Sequence, residues 1–319
     1  SGGYKETHKP EYETTLALGG LLLNEDLDSI FYLNEVLNRA GMDTISAGAT
    51  VAFAIECYEN GIITREDTGG IELKWGDAKA IVALIEKMVA REGIGDLLAD
   101  GTKVAAEKLG KGSEQFAMHA GGQELPMHDG RADPGYAVHY NVEPTPGRHT
   151  IGAQLYYEMY QLWKKVPALP NISMLYGKGK KYVPDRTKAV MTRACSQYVQ
   201  FYNGVGACMF GAFMGAPRLP LFDWANAATG WSKSPEEYME IGARIQTMRQ
   251  LFNIKHGIDP RKVKASRRTV GHPPQSRGAN KGRSVAVEAM TKDYWAEFGW
   301  DPETGVPTDE TLVKLGIRR

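Results

Sequence analysis

The sequence lacks three features that would point to a particular partner or compartment. Basic and acidic residues balance, with 38 of each in 319 residues, so no excess charge favours nucleic acid or an anionic membrane. No apolar run is long enough to cross a bilayer. Cysteine is scarce, and Cys57, Cys195 and Cys208 form an odd set without close pairing, which is typical of a reducing compartment. We therefore expect a soluble, cytoplasmic protein that binds neither nucleic acid nor membrane.

Helical periodicity covers most of the chain and predicts a mainly α fold with little sheet. The predicted helices lie at 26–38, 77–92, 95–109, 153–165, 187–203, 235–253 and 284–298. A connector rich in Pro and Gly at 167–185 separates two helical regions. We therefore expect two helical domains, 1–166 and 167–319.

The functional interpretation depends on a short corner between two predicted helices. Gly41 ends the first helix, and Asn38 and Asp43 flank the turn. Thr44 or Ser46 is expected to cap the second helix, whose N-terminus attracts anionic groups. Most such corners are ordinary helix connections, but this one is also suited to a polar, phosphate-bearing ligand.

The same corner recurs much later in the chain. Residues 203–209 repeat the amide, two spacers, glycine, spacer and reactive side chain of the first corner, with Asn203, Gly206 and Cys208 at the matching positions. A thiolate beside the start of a helix is electrostatically favoured. Two matching corners far apart in sequence predict two halves that grip one ligand of roughly twofold shape.

Five motifs make the chain resemble the C-terminal two domains of the tungsten-containing aldehyde ferredoxin oxidoreductase family. They are PEYET at 10–14, GMDTISAGATVAFAIECYENG at 41–61, ELPMHD at 124–129, GVGAC at 204–208 and TGW at 229–231. The resemblance implies two helical domains about a pseudo-twofold axis. It also implies oxidation of small aldehydes to carboxylic acids, with electrons passing through a [4Fe-4S] cluster to ferredoxin.

The resemblance further implies a bis-pterin cofactor that carries tungsten or molybdenum. Its expected contacts are the two corners and the ELPMHD motif, namely Asn38, Asp43, Thr44, Glu124, Asp129, Asn203, Gly206 and Ala207. Within ELPMHD, Glu124, His128 and Asp129 are second-rank candidates, because residues 130–133 depart from the family's usual continuation. Cys208 matches the fourth cluster ligand, which also bridges the cluster to a pterin. The other three cysteines, and a pterin-binding domain, precede PEYET in the family and are absent from this chain. The cluster is therefore not expected to assemble from this chain alone. A homodimer is also compatible with the resemblance.

Two residues match the family's proton-transfer positions. Glu13 of PEYET matches a proton acceptor near the metal, and an enclosed carboxylate can have its pKa raised toward neutrality. Glu11 is the alternative acceptor. The non-catalytic interpretation of both glutamates is that they are solvated residues at the start of a helix. His149, twenty residues after Asp129, matches a histidine that donates a proton or orients substrate, although it could also be a surface-loop histidine.

Two alternatives stay open at this point. Tyr32 stands where the family has a second acidic residue, and the 130–149 loop is unusual, which keeps a class II benzoyl-CoA reductase-like tungsten subunit in view. A catalytically silent helical module, or one half of a split enzyme, is the other.

The basic stretch at 259–284 is either a solvated loop or a contact for a cofactor phosphate or an acidic electron carrier.

Overall fold

The computed structural model describes residues 4, 6–173, 180–215 and 219–318. It confirms a mainly helical chain, which divides into two compact units, Ser1–His128 and Asp129–Arg319. The connector predicted as a domain boundary lies inside the second unit. Among the described residues, no helix has the length and apolar character needed to span a membrane.

The first unit contains six α-helices and a two-stranded antiparallel sheet among its described residues. The helices are α1 (Tyr12–Leu18), α2 (Leu27–Ala40), α3 (Thr44–Glu59), α4 (Ala78–Ala90), α5 (Ile94–Leu98) and α6 (Gly101–Leu109), and the strands are β1 (His119–Ala120) and β2 (Gln123–Glu124). Short 3₁₀ helices lie at Gly20–Leu22 and Ser113–Phe116.

Helix α3 is the central element of the first unit. It buries Val51, Ala54 and Ile55 and packs against α1, α2, α4 and α6. Gly48 makes the closest approach, because a Cβ there would lie 2.4 Å from the carbonyl oxygen of Ala17. Helix α1 is thereby held directly against α3.

Aspartate side chains cap the N-termini of three helices of this unit. Asp26 and Asp77 accept hydrogen bonds from the first free N–H groups of α2 and α4. Asp43 does the same for α3, accepting from the Ser46 N–H at 2.7 Å. The prediction that Thr44 or Ser46 caps α3 is therefore wrong, since the carboxylate one residue before the helix already fills that role.

The single helix predicted at 95–109 is two helices, α5 and α6. Gly101 has a positive φ of 87°, which breaks the helical path. The buried Glu124 carboxylate then accepts from both the N–H and the hydroxyl of Thr102, at 2.7 and 2.9 Å. A side chain from the distant β2 strand thus caps α6, a contact that periodicity does not reveal.

The regular secondary structure of the second unit is helical among its described residues, apart from two isolated β-bridges. Its α-helices are α7 (Pro134–Val142), α8 (Gln154–Met159), α9 (Leu162–Lys165), α10 (Arg186–Gly204), α11 (Met209–Gly215), α12 (Leu221–Thr229), α13 (Pro235–Lys255), α14 (Val287–Glu297) and α15 (Asp309–Lys314). Short 3₁₀ helices lie at Lys180–Tyr182, Pro260–Lys262 and Arg267–Val270.

Helix α10 is the centre of this unit and packs against α7, α8, α13 and α14. Because α8 precedes the 167–185 connector and α10 follows it, residues on both sides of the connector share one core. The helix predicted at 153–165 is interrupted between α8 and α9, where Gln161 adopts a φ of 47°. Ser234 and Glu237 form a capping box at the start of α13, with Pro235 at its first position.

The crossing of α10 and α13 depends on Gly242. A Cβ at this position would lie 1.9 Å from the Gln197 carbonyl oxygen, so any side chain forces the helices apart. We expect Gly242→Ala to lower the free energy of unfolding by about 1–3 kcal/mol, measured by urea denaturation. Gly211→Ala in α11 is the matched control, because the nearest atom to its added Cβ is 4.0 Å away. Equal effects of the two substitutions would contradict this account of the crossing.

Candidate functional site

Glu13 is buried in α1 and lies against Met127 and His128 of the same unit. Its Oε2 accepts from the Met127 N–H at 2.8 Å, and its Oε1 lies 2.9 Å from Nε2 of His128. The side chain is 7% exposed, so it is not a solvated helix-entry residue. Glu11 is exposed instead. The structure therefore brings together two motifs that are 114 residues apart.

Tyr12 places a second oxygen, its hydroxyl, beside the His128 imidazole. Its hydroxyl lies 3.1 Å from Nε2 of His128, and the two rings meet edge to face with centroids 6.0 Å apart. The imidazole thus lies within hydrogen-bonding distance of both a carboxylate and a phenol. Such a group can hold or pass one proton at Nε2. Sequence reasoning ranked His128 low and missed Tyr12, because no local pattern reports a contact over 116 residues.

The first corner ends α2 in a Schellman motif. Gly41 has a φ of 69°, its N–H donates to the Asn38 carbonyl, and the Met42 N–H donates to the Leu37 carbonyl at 3.0 Å. Asp43 follows as the cap of α3. The corner glycine and its two flanking polar residues are exposed.

The second corner repeats this geometry at the end of α10. Gly206 has a φ of 75°, its N–H donates to the Asn203 carbonyl at 3.1 Å, and the Ala207 N–H donates to the Tyr202 carbonyl at 2.9 Å. Asn203 and Cys208 are exposed, at the positions of Asn38 and Asp43. The pattern read in the sequence therefore corresponds to one backbone motif formed twice.

Both corners leave room for a ligand at the backbone. Neither Gly41 nor Gly206 has any atom within 4 Å of the place where a Cβ would stand, apart from its own chain neighbours. A flat polar ligand could therefore approach each corner closely. The same openness occurs at other exposed glycines, such as Gly61 and Gly257, so it permits a pterin at each corner without identifying one.

Several predicted contacts are already engaged within the protein. The Asn38 amide donates to the Asn34 carbonyl at 2.7 Å, and the Thr44 hydroxyl lies 2.7 Å from that of Thr14 on α1. Glu124 caps α6, as described above. The Asn38 side-chain oxygen, in contrast, accepts no hydrogen bond from the described residues.

Cys208 differs from the other two cysteines. Cys57 and Cys195 are buried, and burial raises the pKa of each thiol, to about 12 for Cys57. Cys208 is exposed immediately before α11. A cubane cluster needs four thiolate ligands, so the described chain fits one of the four and does not hold the cluster by itself.

Asp129 begins the second unit and is held by ion pairing. Arg131 donates to both carboxylate oxygens through Nε and Nη2, and the Asn280 amide donates to Oδ2 at 2.8 Å. Burial acts to raise the pKa of Asp129, but these hydrogen bonds outweigh it and hold the pKa below its usual value. Asp129 is thus a charged carboxylate that orients the unusual loop after ELPMHD.

His149 lies in the loop between α7 and α8 and is only 9% exposed, so it is not a surface-loop histidine. The segment that leads to it is anchored by α13. Arg249 pairs with the buried Glu143 and donates to the Thr145 hydroxyl at 2.9 Å, and Asn253 donates to the Pro144 carbonyl at 2.6 Å. Three consecutive residues before His149 are thereby held by α13, Pro144 through its backbone and the other two through their side chains.

Glu143 also ends a buried hydrogen-bond chain that begins at His139. Nδ1 of His139 lies 2.8 Å from the Gly135 carbonyl, which can only accept, so this nitrogen carries the proton. Nε2 then accepts from Ser196, Ser196 accepts from Tyr294, and Gln246 bridges Tyr294 to Glu143. Each group is satisfied as a neutral donor or acceptor, apart from the Glu143–Arg249 ion pair.

Tyr32 does not supply a second carboxylate. Its hydroxyl donates to Oε1 of Glu86 at 2.6 Å, and this hydrogen bond, with burial, raises the pKa of Tyr32 to about 12. The phenol therefore stays neutral at physiological pH. The nearby acidic group is Glu86, on α4.

Comparison with known proteins identifies the family. The profile of the family described as "Aldehyde ferredoxin oxidoreductase, domains 2 & 3" matches residues 1–317. The chain belongs to the aldehyde ferredoxin oxidoreductase family. The resemblance inferred from the five motifs is therefore confirmed over nearly the whole chain.

Curated relatives of this family are similar over almost the full chain. The tungsten-containing aldehyde ferredoxin oxidoreductases of Pyrococcus abyssi and Pyrococcus furiosus are 35% and 33% identical, over 98% of this chain and 49% of each relative. The "Aliphatic sulfonate oxidoreductase, WOR-like subunit" of Pyrococcus furiosus is 31% identical over 97% of this chain. The chain spans about half the length of the curated relatives it matches.

A solved structure supports the same fold. The "Active site complex BamBC of Benzoyl Coenzyme A reductase in complex with 1,5 Dienoyl-CoA" aligns with a TM-score of 0.68 over 99% of this chain and 50% of that chain. Sequence identity is 22%, so this likeness concerns the fold. The helical architecture of the aldehyde ferredoxin oxidoreductase family is thus shared with that protein.

The buried His139 generates a prediction about pH and stability. Burial lowers the pKa of its imidazole from 6.5 to about 4, so between these values the unfolded chain binds a proton that the folded chain does not. Stability should therefore fall as pH drops from 6.5 to 4, by about 3 kcal/mol from this residue. Urea denaturation of the chain and of His139→Gln across this range isolates the contribution, which should be missing in the variant.

An NMR titration of the imidazole gives an independent measurement. The His139 ring should remain neutral, with its proton on Nδ1, down to about pH 4. A midpoint near the ordinary histidine value would contradict the assignment, whether or not His139→Gln folds.

Proposed function

We propose that this chain is the C-terminal part of a cytoplasmic tungsten bis-pterin oxidoreductase that oxidises aldehydes to carboxylic acids. Electrons would leave through a [4Fe-4S] cluster to ferredoxin. The observation that carries the proposal is the repeated corner. Each unit presents an open glycine turn with exposed polar side chains, and the second corner also carries the exposed Cys208.

The corners supply the cofactor contacts in this proposal. Asn38 and Asp43 at the first corner, and Asn203, Gly206 and Ala207 at the second, would face the pterins through side-chain oxygens and exposed backbone. The pterin-bound metal supplies the redox chemistry when it is present. The role of this chain is to bind and orient the cofactor and to manage protons.

Glu13 is the proton acceptor in the proposal. The Met127 N–H fixes Oε2, which leaves Oε1 beside His128 as the atom that takes or returns a proton. His128 and Tyr12 extend this hydrogen-bonded group beyond the carboxylate. His149, on its anchored loop, would donate a proton or orient the aldehyde oxygen.

The catalytic assignment is tested in the complete polypeptide that contains this chain, produced with tungstate. Glu13→Gln should lower kcat for aldehyde oxidation by at least about 100-fold, the usual contribution of a general base, while tungsten per polypeptide stays unchanged. Glu11→Gln is the matched control, because the exposed neighbour loses the same charge, and its kcat should stay within about twofold. A Glu13→Gln enzyme with full activity would remove Glu13 from the mechanism.

The cluster assignment is tested separately by metal analysis. Cys208→Ser should reduce iron per polypeptide sharply, because a serine hydroxyl is a poor substitute for a thiolate ligand. Cys195→Ala is the control, since that thiol lies in the core and should leave the iron unchanged. Unchanged iron in Cys208→Ser would exclude the ligand role. A complete polypeptide with no tungsten would overturn the proposed function itself and favour a silent helical module.

A further inference from the structure

The second unit contains a cavity of about 570 Å³ whose lining includes none of the predicted site residues. It is formed by the basic stretch after α13 and by one face of α14. Its volume lies in the range of small-molecule sites.

One side of this cavity is apolar. Val263, Val270 and Val287 line it together with the broad ring of Trp295, which is 5% exposed. The Trp295 Nε1 is buried and has no hydrogen-bond partner among the described residues. Apolar side chains and a broad aromatic ring are the usual lining of a ligand pocket.

The rest of the lining is largely charged, with four Lys and Arg side chains against the two carboxylates of Glu288 and Glu303. Arg261 and Lys292 are two of these cations, but they are paired with Asp259 and Glu303. Lys264 and Arg267 are exposed lining residues, and no described carboxylate pairs with either of them. Two cations are therefore available to a ligand.

We propose that this cavity binds an organic anion with an apolar body, such as an aromatic or aliphatic carboxylate. The carboxylate would lie at Lys264 and Arg267, and the apolar body would pack against Val270 and Trp295. Arginine suits this role because its planar guanidinium can donate two parallel hydrogen bonds to one carboxylate. The proposal does not depend on the redox reaction.

The composition of the cavity separates this ligand from simpler ones. A small inorganic anion would gain the charge interaction but would leave the apolar wall in water. A neutral apolar molecule would cover the wall but would leave both cations unpaired. Only a molecule with an anionic group and an apolar body matches both the cations and the apolar residues of the lining. Each of these two interactions contributes to affinity on its own.

Three matched fluorinated probes test the proposal by ¹⁹F NMR titration of the intact chain. They are 4-(trifluoromethyl)benzoate, its neutral analogue 4-(trifluoromethyl)benzyl alcohol, and trifluoroacetate as the charged head alone. We expect saturable binding of the benzoate, and at least tenfold weaker binding of the alcohol and of trifluoroacetate. Equal binding of all three, or no binding of the benzoate, would overturn the proposal.

Two variants place the binding at this cavity. The double substitution Lys264→Ala with Arg267→Ala should weaken the benzoate at least tenfold, because both available cations are lost. Lys262→Ala is the matched control, since it is exposed in the same segment but does not line the cavity, and it should change affinity less than twofold. Equal weakening by the control would indicate a diffuse positive field suited to an acidic macromolecule, and the carboxylate site would be rejected.

Discussion

The second unit depends on one buried carboxylate. Glu143 ends α7 with its side chain entirely excluded from solvent, and burial raises the pKa of its carboxyl. An unpaired charge in such a place is prohibitively costly, so the fold must supply partners. Arg249 and Gln246 do so from α13, and Gln246 is in turn held by Gln200 of α10 and by Tyr294 of α14. Satisfying one carboxylate therefore fixes four helices relative to one another.

Close backbone packing makes this network possible. Gly242 lets α13 approach α10, which brings Gln200 and Gln246 within 2.9 Å of each other. Gly152 allows similarly close packing at the His139 end of the network, because a Cβ there would lie 2.4 Å from the His139 ring. The polar chain and the glycine contacts are thus mutually dependent, as expected for a buried network whose members are all satisfied. The loop that carries His149 starts at the Glu143 end, so its position follows from the core rather than from loop sequence.

The sequence predicted local features well and contacts between distant segments poorly. Both corners follow from an amide and a glycine three residues apart, because a Schellman motif is encoded within six residues. The cap of α6 was missed because Glu124 is 22 residues from Thr102. The contact of Glu13 with His128 was missed for the same reason. The expected boundary at 167–185 was based on composition. Compact units depend instead on which helices share a core, and α8 and α10 share one although they lie on opposite sides of the connector.

Exposure divides the predicted site residues into two groups. Glu13 and His149, to which we assign proton transfer, are buried and held by the surrounding protein. Asn38, Asp43, Asn203, Gly206 and Cys208, to which we assign cofactor contacts, lie at the surface of their own units. A proton acceptor needs an enclosed environment, because desolvation adjusts its basicity. One unit can supply such an environment by itself. A large cofactor is instead enclosed by several parts of a protein, so each part should present its share as an exposed, rigid corner. Under the proposed function, the exposed corners and the exposed Cys208 thiol are the share that this chain would present to the cofactor.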